Sequence, residues 1–346
     1  MEDRELLEAL VTAIGPTGNE KSVYEIIKKA LDGFVDEIFV HQGSGSLIAF
    51  KRGNGVSSLL IEAHVDEVFM VVEDVLENGF LRFYSHSIDP KILPGLKVCV
   101  HGRKLLRGVI GVKPYHLVKP SEENKAYTFD ELFVDCGMTG NKIREFVSVG
   151  DYITFEPGFV ELQNYFVSKA LDNRTGVFVL IEVLKALKRI KHEVNVYALF
   201  STQEEFTSLG AITSSFSIFP DAALILDTTF AIQHKVGEED GFECGKGPVI
   251  FVGASVSRKL TQRLTSTGER FGIPFSYEVG VLSSTDADRI QLVRTGIPTA
   301  LVSIPIRYMH TPIEMVSESD LEKTVQLIKL FVEHYEPVTK VQNGEY

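Results

Sequence analysis

Six side chains of this sequence are of types that could assist hydrolysis with metal ions, and a seventh could orient one of them. His64 stands in A-H-V-D-E, residues 63–67. In an extended segment residues two apart face the same side, so His64 and Asp66 point together. A neutral imidazole is a good zinc ligand, and a nearby carboxylate orients its ring and raises its basicity. Asp172 opens D-N-R-T-G just before a helical stretch, either as a helix cap or as a carboxylate bridging two metals. Glu204 and Glu205 follow the strand-like run 194–200. One of two such acids can bind metal while its neighbour acts as general base, although acids also favour the first turn of a helix for dipole reasons. Asp227 ends the apolar run 222–226, where a carboxylate must be solvated, paired or metal-bound. His310 lies in Y-M-H-T-P after another strand. Asp172 alone reads equally well either way, and each of the others alone is more simply a cap, a turn or a loop residue. Together they are the inventory of a dinuclear hydrolytic site.

These residues need a frame that brings them to one place. Residues 4–14 and 19–31 carry apolar side chains at helical spacing, separated by G-P-T-G. Residues 34–50 suggest two strands and 57–65 a buried strand ending near His64. From about 68 to 165 the pattern changes to short strands and turns, including a hairpin turn at E-N-G, residues 77–79. Helix and strand then alternate. Helices are expected over 175–191, 257–271, 285–294 and 318–335, with a short one after Glu204. Strands are expected over 194–200, 221–226 and 297–304. The expected fold is an α/β/α sandwich with a mixed sheet, built from residues 1–66 plus 166–346. A small β-barrel-like domain, 67–165, is inserted in it. All the candidates but Asp172 then fall at or just past the C-terminal ends of strands, where open α/β sheets place their ligand crevice.

Composition narrows the classes. The chain has 346 residues, 44% hydrophobic and 24% charged, with a net charge of −12. That charge argues against sequence-independent binding of nucleic acid. Three cysteines without C-x-x-C spacing exclude a zinc ribbon. The opening residues 1–5 lack the basic and apolar regions of a signal peptide, and no stretch approaches the roughly 18 to 20 apolar residues of a membrane span. The cytoplasm is the expected location, with no membrane and no nucleic-acid partner.

The ordered set H-x-D-E, D-N-R-x-G, Q-E-E, an Asp after a strand, and R-Y-x-H-T-P resembles metallopeptidase family forty-two. These are tetrahedral dinuclear-zinc aminopeptidases, including glutamyl aminopeptidases and proteins labelled endoglucanase M. The resemblance implies a zinc-peptidase α/β domain whose inserted β-domain serves as lid or dimerisation element. It implies that His64 and Asp227 hold one metal, Glu205 and His310 the other, and that Asp172 bridges them. Glu204 would be the general base on a metal-bridging hydroxide, and Asp66 would orient His64. Two divalent ions are expected, zinc first and cobalt or manganese otherwise. The substrate is expected to be a short peptide with a free amine, and the chain to form a homo-oligomer built from dimers, up to a dodecamer. A deacylase or carboxypeptidase on the same metals is the alternative, followed by a divergent binding protein. A two-carboxylate glycosidase is disfavoured by the histidines. The chain departs from the family pattern at 68–71, 206–209 and 228–233, beside the expected ligands.

Overall fold

The computed structural model describes residues 3–118 and 125–337. Met1 and Glu2, the start of the acidic N-terminus, and residues 338–346 lie outside the described residues. The chain forms two compact units. The larger holds residues 1–67, 159–309 and 313–346, and the smaller 68–158 with 310–312.

The larger unit opens with helices α1 (Asp3–Thr12) and α2 (Lys21–Leu31). Their apolar stripes, Leu6, Leu7, Leu10 and Val11, then Val23, Ile27 and Leu31, are buried in the main core, as the 3.6-residue periodicity requires. Strands β1 (Glu37–Val40), β2 (Leu47–Lys51) and β3 (Ser58–His64) follow.

The smaller unit is a closed six-stranded barrel. Its strands are β4 (Met70–Val75), β5 (Leu81–Tyr84), β6 (Lys97–His101), β7 (Leu105–Gly111), β8 (Phe133–Asp135) and β9 (Tyr152–Phe155), closed in the order β4-β5-β8-β7-β6-β9. One short helix, α3 (Gly140–Ile143), joins it. Closure removes free strand edges, and every second residue of β7 turns inward onto a separate core. Phe69, one of the departures, packs edge-on against Tyr152 of this unit at 5.1 Å.

The chain returns to the larger unit with β10 (Phe159–Leu162), β11 (Tyr165–Ser168), α4 (Leu171–Leu187), β12 (Asn195–Ser201), α5 (Leu209–Ile218), β13 (Ala222–Phe230) and β14 (Val249–Gly253). It ends with α6 (Arg258–Phe271), β15 (Ser276–Gly280), α7 (Ala287–Ile290), β16 (Thr299–Arg307), β17 (Glu314–Ser317) and α8 (Glu318–Glu333). The eleven strands form one mixed sheet, β1-β2-β12-β3-β13-β16-β17-β11-β10, with β14 pairing β16 and β15. Its central four, β12, β3, β13 and β16, are parallel. They are almost wholly buried, which is why they read as continuous apolar runs and not as alternation. The expected α/β fold with a mixed sheet and a barrel-like insertion is what the chain adopts.

Several boundaries differ from the sequence expectation. The helix expected after Glu204 is α5, which begins only at Leu209 because Gln203 and Ser208 take left-handed backbone that no helix tolerates. Strand β13 runs through Asp227 to Phe230, so that Asp227 lies within the strand, paired with Ser303 of β16. The helix expected over 285–294 is only Ala287–Ile290.

A buried ionic network ties the start of the chain to the centre of the sheet. The Lys169 ammonium donates to Glu67 at 2.7 Å and to the Ala13 carbonyl at 3.1 Å. The other Glu67 oxygen accepts the Gly15 amide at 2.8 Å. Arg174 donates to the carbonyls of Val65 and Leu10, both at 2.7 Å. All three charged side chains are at most 2% exposed. Replacing one member of such a network strands its partner's charge in a dry site. Lys169→Ala is therefore expected to lower unfolding free energy by about 3 to 5 kcal/mol, measured by denaturant titration, whereas an unchanged midpoint would show the network to be dispensable.

Candidate metal centre

Strand register levels the site. Ser201 of β12 stands opposite His64 of β3, and Ile225 of β13 opposite Glu62. Two residues beyond that last pair, His64 and Asp227 come side by side at the C-terminal edge.

The His64 ring is fixed by its own backbone. Its Nδ1 donates to the Asp66 carbonyl at 3.2 Å, with the Asp66 carboxylate at 3.6 Å. A carbonyl only accepts, so this contact places the ring proton on Nδ1 and the lone pair of the neutral ring on Nε2. Around Nε2 stand carboxylate oxygens of Asp172 at 3.3 Å and of Glu204 and Asp227 at 3.8 Å each.

Asp172 is delivered by an irregular start to α4. Ala170 is left-handed, and the Asp172–Asn173 peptide is cis. Donors from three consecutive residues tie this start to the strands. The Asp172 amide donates to Glu314 of β17 at 3.0 Å, the Asn173 side chain to the Leu226 carbonyl of β13 at 2.8 Å, and Arg174 to the Val65 carbonyl just past β3. Leu226 immediately precedes Asp227, so the same motif sets two of the candidate acids.

Among the described residues, His64, Asp172 and Asp227 carry donor atoms within 4.8 Å of one another. Asp172 and Glu205 likewise offer carboxylate oxygens within 4.8 Å. His310 sits in the loop after β16, counted with the smaller unit, where its Nδ1 donates to the Ser87 carbonyl at 2.9 Å. That bond again leaves Nε2 as the nitrogen able to ligate.

Electrostatics explains why this cluster wants a cation. Burial pushes the Asp227 carboxyl up to about 8, and Asp172 adds to the rise against the pull of His64. Burial also raises Glu204 well above the carboxylate range. Burial pulls His64 down, but its bonds to Asp172 and Asp66 and the nearby Glu204 and Asp227 outweigh that, so it is held well above its ordinary value. Imidazole and carboxylate donors, fixed by neighbours and facing one point, fit a divalent ion such as zinc.

Sequence reasoning did not assign Glu62, Glu67, Lys169, Arg174, Asp286 or Glu314, all buried beside these residues. Glu67 and Arg174 lie inside the quoted motifs, and Glu62 is a lone acid in an apolar strand. A charge buried in such surroundings needs partners, which was the available signal.

A parallel-centred α/β sheet that gathers buried imidazole and carboxylate donors at its C-terminal edge defines a metal-dependent hydrolase. The family description "M42 glutamyl aminopeptidase" matches residues 45–327. Lysyl aminopeptidase of Pyrococcus furiosus is 30% identical over 346 residues, covering 98% of this chain and 99% of that protein. The TET aminopeptidase from the marine sediment archaeon Thaumarchaeota archaeon SCGC AB-539-E09 superposes with a TM-score of 0.92 at 29% identity, covering 97% of each chain. The Pyrococcus horikoshii TET1 peptidase, which can assemble into a tetrahedron or a large octahedral shell, gives 0.84 at 30% identity over 96% of this chain and 99% of its own. The chain belongs to the M42 family and is a metal-dependent aminopeptidase, a hydrolase of peptide bonds.

The elevated Asp227 carboxyl gives a signed pH prediction. The folded state holds this proton up to about 8, against 3.8 ordinarily. Its contribution to stability is therefore full below the ordinary value and drains away as pH rises toward about 8. Chelated protein should lose Tm across that window, and saturating zinc should raise Tm and flatten the loss. A chelated protein whose Tm is flat with pH, and unmoved by zinc, would contradict this electrostatic account.

Proposed function

We propose that this aminopeptidase uses two ions held by five side chains. His64 and Asp227 hold one, Glu205 and His310 the other, and Asp172 is shared. The observation that carries the assignment is the convergence of the Asp172, Glu204 and Asp227 oxygens on His64 Nε2 at 3.3 to 3.8 Å. Zinc is the proposed metal, with cobalt and manganese admitted by the same donors. When bound, the ions polarise the scissile carbonyl and acidify the attacking water.

The remaining chemistry falls to the chain. Glu204, whose carboxylate is 3.8 Å from His64 Nε2, takes the proton of the attacking water and passes it to the departing amine. Its burial supports this role, since burial raises the proton affinity of its carboxyl. Asp66 orients His64, through its carbonyl first and its carboxylate second. The substrate is a short peptide whose free α-amine docks against the acidic site. The inserted unit serves as lid or dimerisation surface, and the chain assembles from dimers toward a dodecamer, as its TET relatives suggest. Three free cysteines support a reducing, cytoplasmic setting. No helix among the described residues is long and apolar enough to cross a membrane.

Glu204→Gln should keep both ions and lose roughly a hundredfold or more in kcat, because it removes the base and leaves the ligands. Asp172→Ala should instead release at least one ion, as elemental analysis of the purified protein would show. Chelation should abolish cleavage of aminoacyl anilides and zinc restore it, while N-acetylated peptides should resist throughout. Wild-type turnover by Glu204→Gln would remove the base from this scheme, and cleavage of acetylated peptides would remove the free-amine requirement.

A further inference from the structure

We infer that Thr17 is a positioning residue for Glu204, acting through Asp66; this rests on the assignment of Glu204 as the base. Thr17 lies in the turn between α1 and α2, which contributes none of the proposed ligands. The turn is nevertheless sewn to the end of β3. Pro16 forms a parallel bridge with Glu67, the Glu67 amide donates to the Gly15 carbonyl at 3.2 Å, and the Gly15 amide returns a bond to the Glu67 carboxylate. From that anchored turn the Thr17 hydroxyl donates to Asp66 Oδ2 at 2.8 Å.

Asp66 is completely buried and divides its oxygens. Oδ2 takes Thr17, while Oδ1 accepts the backbone amide of Glu204 at 3.2 Å and lies 3.6 Å from His64 Nδ1. A carboxylate is planar, so a donor fixed on one oxygen sets where the other points. The Thr17 hydroxyl thus fixes the plane that aims Oδ1 at the base's own amide. The turn holds the same loop at a second place, since Glu20 accepts the hydroxyl of Thr202, two residues before Glu204. Between these two holds, Gln203 is left-handed at φ 65°. A side-chain-bearing residue in that conformation persists only where its surroundings over-determine it. Thr17 and Glu20 supply those constraints from one turn.

The test compares Thr17→Val and Thr17→Ser with the wild-type, zinc-loaded enzyme. Thr17→Val should lower kcat roughly tenfold, the scale on which small misplacements of a catalytic group act. KM and bound zinc should stay near wild type, Tm should fall modestly because Asp66 Oδ2 loses its donor, and Thr17→Ser should restore both kcat and Tm. Thr12→Val is the control, because the Thr12 hydroxyl caps the Glu8 carbonyl within α1 and should leave the rate unchanged. If Thr17 acts through the base, adding Thr17→Val to Glu204→Gln should cost nothing further, a non-additivity that separate roles do not produce. Wild-type kcat in Thr17→Val, loss of zinc with kcat per bound zinc preserved, or additive effects in the double variant would each overturn the inference. Full activity in Glu204→Gln alone would instead defeat the base assignment on which it rests.

Discussion

Buried carboxylates repel one another, and in this chain they are packed around a single imidazole nitrogen. At 3.3 to 3.8 Å from His64 Nε2, three acids cannot all be charged in a dry site unless a positive charge sits among them. In the bare protein that charge comes from protons, which is why Asp227 and Glu204 hold theirs so far above the carboxylate range and His64 keeps one too. A divalent ion supplies the charge more effectively, at the cost of displacing those protons. Binding the ion and relieving the repulsion are therefore the same event. The rest of the larger unit can be understood as the apparatus that keeps the acids from moving apart.

That apparatus is mostly backbone. Asp172, Asn173 and Arg174 each spend a donor on a different part of the sheet: Glu314 of β17, the Leu226 carbonyl of β13 and the Val65 carbonyl beyond β3. The D-N-R run thus clamps the strand bearing Asp227 to the strand bearing His64 while presenting Asp172 between them. Arg174 cannot be exchanged for a simple cation, because its planar fork reaches Val65 and Leu10 at once. Glu67 and Lys169 keep its charge company in the interior. Such networks contribute little net stability compared with apolar packing, so their value here lies in fixing one arrangement.

How much of this was legible in the sequence follows from the range of each interaction. The central strands could be read because a buried parallel sheet writes itself as apolar runs, and the acids at their ends stood out against those runs. Asp227 was assigned past its strand because a charge in an apolar run reads as an end; the strand continues because β16 pairs with it through Phe230. The helix expected after Glu204 begins only at Leu209, held off by left-handed residues at 203 and 208, which no local propensity in Q-E-E-F-T-S announces. Strands β11 and β17 are four residues each and pair with one another across a long stretch of sequence. The role of Arg174 was hidden for the same reason: its partners lie 109 and 164 residues away.

One feature of the interior bears on how much negative charge the site can carry. The Ser201 hydroxyl lies 2.5 Å from Glu62 and 3.2 Å from Asp286. A hydroxyl has a single proton to give, so it cannot satisfy two ionised carboxylates at once. Burial raises both acids, Glu62 well above its ordinary value, and each raises or is raised by further negative charge nearby. At least one of the two is therefore a neutral acid able to donate in return. Two more full charges so close would add to the repulsion among the buried acids, since Asp227 already acts on Glu62 and Asp66 on Asp286. Keeping one of this pair protonated limits that repulsion. The carboxyls of this fold thus divide by their partners: Asp172, Glu204 and Asp227 converge on His64 Nε2, and Glu62 and Asp286 share the Ser201 hydroxyl.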